Sequence, residues 1–177
     1  MKETSVVRYV LRLTLTLLLI TGVVAVSLAG VNAITKDRIA QAKAAKTLAA
    51  VEAVLPGGGQ AVEENDPEIL ALYKGDAGFA VEVAPNGFGG QIHMMVGIDH
   101  SGNVTAISII SHAETPSLGA VAAENSSKGI AFRDQFAGLS DTASVGSEID
   151  AITGATITSK AVTDGVNKAL EFAKTLG

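Results

Sequence analysis

Four hydroxyls, on Thr153, Thr156, Thr158 and Ser159, crowd the stretch Asp150-Ala151-Ile152-Thr153-Gly154-Ala155-Thr156-Ile157-Thr158-Ser159-Lys160. Gly154 and Ala155 carry almost no side-chain bulk, so a large group can come close to the backbone there. Beyond them Val162, Val166, Ala169, Leu170 and Ala173 recur at helical spacing. The stretch therefore leads into a helix, with Thr156 just outside its N-terminus and Thr158 or Ser159 placed to cap the first turn. Backbone N–H groups at such an end are unpaired, and the helix dipole is positive there. A phosphate suits that position, and Lys160 adds positive charge. The same residues also suit an ordinary helix cap with small residues chosen for a turn. Their types and spacing leave both readings open.

A second group follows an apolar run: Ser111-His112-Ala113-Glu114-Thr115-Pro116-Ser117-Leu118-Gly119-Ala120. It reads either as a strand end and a Pro-fixed turn, with a new helix capped near Thr115 or Ser117, or as a loop beside a ligand. Glu114 could serve as an acid or base, or as a carboxylate that bonds backbone N–H groups. His93, His100 and His112 form no helical metal pair and the chain has no Cys, so no metal site is expected. No Gly-x-Ser-x-Gly elbow is present. Gly87-Phe88-Gly89-Gly90 lies between two strand-like runs and makes no dinucleotide fingerprint. No catalytic residue is assigned.

These groups must be positioned by one domain of ordinary size, since the chain has 177 residues. Without Cys there is no disulfide, thiolate metal site or cysteine nucleophile. Redox chemistry would need a bound organic cofactor. The first 34 residues stand apart. Lys2, Arg8 and Arg12, with Glu3 between, precede an uncharged run of 22 residues from Leu13 to Ile34. As a helix that run is about 33 Å long, enough for a hydrocarbon core of about 30 Å. Ser27-Leu28-Ala29 could pass for a signal cleavage site, but the run is longer than a usual signal core, which favours an uncleaved single-pass anchor. The basic flank places the N-terminus in the cytoplasm and the rest outside.

Residues 35–59 then read as a stalk. The apolar stripe Ile39, Ala42, Leu48, Val51 and Val54 continues the helix, and Pro56-Gly57-Gly58-Gly59 stops it. Residues 60–177 form the domain. Residues 60–68, with Glu63, Glu64, Asp66 and Glu68, read as an acidic loop. Runs at Ile69–Lys74, Phe79–Val83, Ile92–Ile98 and Val104–Ile110 read as strands joined by Gly-containing turns, an antiparallel meander. The expected fold is α+β, a twisted antiparallel sheet with helices packed at its side. The net charge is −5 and no aromatics interleave with Lys or Arg, so nucleic acid is not an expected partner.

Asp150, Thr153, Gly154, Ala155 and Thr156, with Thr158 and Ser159 after them, resemble the flavinylation motif of covalent FMN-binding domains. In that family the Thr of the Gly-Ala-Thr triplet carries FMN through a phosphoester, which implies Thr156 here. His112, Glu114, Thr115, Pro116, Leu118 and Gly119 are similar to the second signature of the G component of the Rnf electron-transport complex. The related C component of the sodium-pumping quinone reductase shares that signature. Val81–Gly90 and Phe132-Arg133-Asp134-Gln135-Phe136, read as a short amphipathic helix, also look like the family's. The one departure is Ser117, where the family usually has Gly and where positive φ is disfavoured for Ser. The short chain fits the Rnf protein better.

The resemblance covers nearly the whole chain and implies an electron relay in a complex that moves electrons between ferredoxin and NAD and transports an ion. Thr153, Gly154, Ala155, Thr158, Ser159 and Lys160 would shape the phosphate end of the FMN. Glu114, Thr115, Leu118 and Gly119 would lie against the ring. Asp150 would be read by the flavin transferase, or else simply form a turn. Implied partners are the other Rnf subunits, the transferase and the cell (inner) membrane. Two alternatives stand beside this: an anchored assembly subunit without flavin, which would meet its partners through Phe88, Leu118 and the stalk, and a generic FMN-carrying reductase domain.

Overall fold

The computed structural model describes residues 3–63 and 66–176. Lys2 of the basic flank and Glu64 of the acidic loop lie outside the described residues. Helix α1 runs unbroken from Glu3 to Val54. Nothing in it removes a backbone donor, since the first proline is Pro56. The hydroxyls of Thr14, Thr16, Thr21, Ser27 and Thr35 donate to carbonyls four residues back at 2.8–2.9 Å. Each hydroxyl is thus satisfied within the helix, as an apolar surrounding requires.

The chain divides into two compact units, residues 1–44 and 45–177. The described residues of the first are helix alone, and its uncharged run from Leu13 to Ile34 is exposed on all sides and is long and apolar enough to cross a membrane. The second begins with the last turns of α1 and contains the sheet. Ile39 and Leu48 of the expected stripe are exposed, so the buried stripe is shorter than the spacing suggests. Only Ala50, Val51 and Val54, with Leu55 just beyond, are buried.

Five strands form one antiparallel sheet in chain order: β1 (Gln60–Val62), β2 (Ala71–Gly75), β3 (Gly78–Val83), β4 (His93–Asp99) and β5 (Val104–Ser111). Alternation sets the two faces. Leu72, Val81, Val83, Met94, Val96, Ile98 and Ile107 join a core with Val162, Val166, Ala169 and Leu170 of α3 (Thr156–Leu176). Tyr73, Ala80, Met95, Ala106 and Ile110 share the opposite cluster with Ala50, Val51, Val54 and Leu55. A hydrogen bond of 2.7 Å from Thr105 Oγ1 to the Val54 carbonyl ties the end of α1 to β5. The α+β meander is the architecture expected.

Three local expectations are corrected. Residues 60–68 are not all loop, because Gln60–Val62 pairs with Leu72–Lys74 as an edge strand. All three of its residues are exposed, so no alternating pattern marks it. Phe132–Phe136 is not itself a helix: α2 spans Ser127–Asp134, capped by Ser126 Oγ, which accepts from Gly129 N at 3.2 Å. Phe136 falls in the turn after it, and its ring meets Phe132 edge-on at 5.4 Å within the core. The new helix expected near Thr115 or Ser117 is a 3-10 turn, Gly119–Ala123, preceded by Leu118 with no side-chain cap.

Candidate functional site

Helix α3 begins at Thr156 itself, so this residue is the first of the helix and not the residue before it. The first intrahelical bond runs from Ser159 N to Ala155 O at 2.9 Å. The amides of Thr156, Ile157 and Thr158 therefore have no carbonyl one turn back, and the positive end of the dipole lies beside them. Thr158 and Ser159 sit inside the first turn and neither is the N-cap. Ser159 Oγ instead accepts from Ile152 N at 3.0 Å and donates to Ala155 O at 3.0 Å, which folds the preceding loop back onto the helix. Gly154 supplies the sharp bend with φ of 78°.

The other wall comes from the loop after β5. Glu114 is 6% exposed, yet its carboxylate is fully engaged. Oε1 accepts from Gly89 N at 2.9 Å and Oε2 accepts from the Thr158 hydroxyl. The Glu114 N–H in turn donates to His112 Nδ1 at 3.2 Å. One side chain thus joins the β3–β4 loop, the post-β5 loop and the first turn of α3. Gly119 permits this closeness, since a Cβ there would run into both Glu114 Oε2 and Thr158 Oγ1. Ser117 takes φ of 62°, the only non-glycine with positive φ among the described residues. The backbone expected of the usual Gly is thus kept at a cost that Gly avoids.

These segments enclose a cavity of about 310 Å³ lined by Phe88, Glu114, Thr115, Leu118, Gly119, Gly154, Ala155, Thr156, Ile157 and Thr158. All but Phe88 and Ile157 are residues that the two motifs assign to a flavin. Phe88 belongs to the β3–β4 turn, where the sequence points only to a partner contact. Ile157 has one recognisable signal: it is apolar, falls off the buried stripe of α3, and is 56% exposed. Thr153, Ser159 and Lys160 do not line this cavity. Thr153 faces a second one of about 570 Å³, together with Ser117, Lys128, Gln135, Asp150 and others. Ser159 is buried under the loop, and Lys160 is exposed on α3.

The loop leading to Thr156 is braced along its length. The Asn167 amide clasps Ala143, accepting from its N–H and donating to its carbonyl, both at 2.8 Å. The Gln135 amide clasps Asp150 in the same way, at 2.7 Å and 3.3 Å. Between them Glu148 accepts from Ser144 N (2.9 Å), Ser144 Oγ (3.1 Å) and Ser147 Oγ (2.8 Å). The Ser144 amide, the Ser147 hydroxyl, its own amide and the Ser144 hydroxyl hold the Glu148 carboxyl down to about 2. Away from the site, His93 Nδ1 lies 3.6 Å from Glu82 Oε1 on the sheet. Burial first, and the nearby Glu82 second, raise the Tyr73 hydroxyl above its ordinary value.

Residues 87–171 match the FMN-binding domain family. The chain is 34% identical over 200 residues to the G component of the Na⁺-translocating ferredoxin:NAD⁺ oxidoreductase complex of Acetobacterium woodii, an alignment covering 96% of this chain and 94% of that protein. The chain belongs to the family of Rnf G components. The family extends to the G component of the ion-translocating oxidoreductase complex of Stutzerimonas stutzeri, 32% identical over 89% of this chain and 78% of that protein. The G component of the same name in Methanosarcina acetivorans is 28% identical, over 91% of this chain and 93% of that protein. The FMN-binding match takes in both walls of the 310 Å³ cavity and the braced loop, and leaves out β1, β2 and β3.

Proposed function

We infer that this chain is the electron-carrying subunit of a membrane-bound, ion-translocating ferredoxin:NAD oxidoreductase. FMN would be held covalently by a phosphoester at Thr156. The observation that carries this reading is the position of Thr156, exposed as the first residue of α3 and at the wall of a cavity with both polar and apolar lining. The residues fit an FMN. The amides of Thr156, Ile157 and Thr158 and the helix dipole suit the negative charge of the resulting phosphodiester. Phe88, Leu118 and Ile157 offer exposed apolar surface for a flat ring, while Gly119 leaves the room in which Glu114 and Thr158 meet.

Bound there, a flavin would take up and release electrons one or two at a time. The chain's own residues would bind and orient it. Glu114 is already bonded to Gly89 and Thr158, so it acts as a strut that fixes Leu118 and Gly119 relative to α3. The covalent link would keep the carrier loaded outside the cytoplasm, where no FMN pool could refill it. Helix α1 would anchor the chain with its N-terminus in the cytoplasm, and the other subunits and a flavin transferase would be its partners.

The test is in-gel flavin fluorescence after denaturation, with native and Thr156→Val chains each co-expressed with a flavin transferase. Fluorescence in the native chain alone supports the reading. Fluorescence in both puts the flavin elsewhere. Fluorescence in neither, although a control protein is labelled, removes the carrier and leaves an assembly subunit.

A further inference from the structure

Asp150 opens the attachment stretch, and its own side chain is not what holds it. Its backbone is held from both sides by one amide, with Asp150 N donating to Gln135 Oε1 at 2.7 Å and Gln135 Nε2 donating to Asp150 O at 3.3 Å. Gln135 sits at the end of α2, fifteen residues away in sequence, and Phe132 and Phe136 on either side of it are fixed in the core. The clasp therefore ties a solvent-exposed loop to a rigid point. It leaves Asp150 exposed beside Thr153 on the 570 Å³ cavity. The neighbouring residues Leu118 and Gly154 line the smaller cavity instead.

We propose that Gln135 is a positioning residue for flavin attachment: its amide holds the Asp150–Ala155 segment in the one conformation that presents Asp150 and the Thr156 hydroxyl together to the transferase. This rests on the reading that Thr156 carries the flavin. The transfer forms a P–O bond between Thr156 Oγ and the flavin phosphate of a flavin dinucleotide. The phosphoanhydride bond breaks, the nucleoside monophosphate leaves, and the hydroxyl proton passes to a base of the transferase. Gln135 touches none of these atoms. Its effect is on how often the free segment has the competent shape, and a fractionally populated competent state weakens apparent binding by that fraction.

The experiment follows the time course of covalent labelling of the full chain, as native, Gln135→Met and Gln135→Glu, with a transferase and flavin dinucleotide. Amide hydrogen exchange of each variant is measured alongside. Met keeps the length of the side chain and loses both hydrogen bonds to Asp150, together with the long one of 3.5 Å from Gln135 Nε2 to the Phe132 carbonyl. Glu keeps the acceptor for Asp150 N and sets a carboxylate against the Asp150 carbonyl. The expected result for Gln135→Met is a KM for the acceptor chain raised about tenfold with kcat unchanged, the factor being the order of a population shift. Faster exchange at residues 150–155, with β4 still protected, accompanies it, and Gln135→Glu falls between. Labelling of Gln135→Met at the native rate overturns the proposal, as does a lowered melting temperature with an unchanged rate per folded molecule. If the native chain takes no flavin while a control protein does, attachment at Thr156 fails first and the proposal falls with it.

Discussion

Glu114 and Thr158, 44 residues apart in the chain, meet in a buried hydrogen bond in which the threonine hydroxyl donates to the carboxylate. The bond closes the post-β5 loop against the first turn of α3. Removing the hydroxyl leaves a buried carboxylate oxygen short of a donor, which costs about 1–3 kcal/mol. Thr158→Val is expected to lower unfolding stability by that amount in urea titrations. In a cycle with Glu114→Gln the two losses are expected to be non-additive by more than about 0.5 kcal/mol, and strict additivity would show that the pair does not couple.

Gly119 stands where a Cβ would meet both partners of that bond. Gly119→Ala is therefore expected to destabilise the domain by about 1–3 kcal/mol through overpacking and to reduce flavin loading. Loading at the native level, measured by absorbance of the purified chain after co-expression with the transferase, would mean that the two walls need not close.

Ser117 holds φ of 62° without being glycine. Ser117→Gly relieves that conformation but adds freedom to the unfolded chain. The net expectation is a gain of up to about 1 kcal/mol in chemical denaturation, whereas Ser117→Val, branched at Cβ, loses stability. A loss in the glycine variant would show that the serine side chain contributes there.

The Glu148 carboxyl, held at about 2 against an ordinary 4.5, stabilises the folded state in its charged form. The stabilisation is full above the unfolded value near 4.5 and fades as pH falls through about 2. Glu148→Gln is expected to melt below the native chain near neutral pH, with the difference shrinking as the pH falls toward the folded value. A gap that stays constant across that range would assign the effect to packing.

The sheet is legible in the sequence because β2–β5 carry apolar runs that one or both faces bury, and their bounds lie within a few residues of the runs. Strand β1 is not, because nothing on Gln60–Val62 is buried and only backbone pairing defines it. At the site, Thr156, Glu114 and Leu118 belong to motifs, and the cavity gathers them. Gln135 and Asn167 are invisible as braces because each acts through a side-chain amide on a distant backbone, a relationship no local spacing encodes. Ile157 shows only faintly, as an apolar residue off the stripe of Val162, Val166, Ala169 and Leu170, and its role on the cavity wall emerges only in the folded molecule.

The strands pair in chain order, so each can add to the one before it as synthesis proceeds, with only short loops to close. Helix α3 is different. It follows all five strands in sequence, and the core face of the sheet, which Phe132, Phe136 and Ile149 also cover, is completed only when Val162, Val166, Ala169 and Leu170 arrive. Thr156 gains its helix end, its cavity wall and its brace at Asp150 only in the finished molecule. The first turn of α3 thus takes its final surroundings only once the whole domain has folded, so a chain that stops short of α3 or misfolds lacks the cavity wall at Thr156.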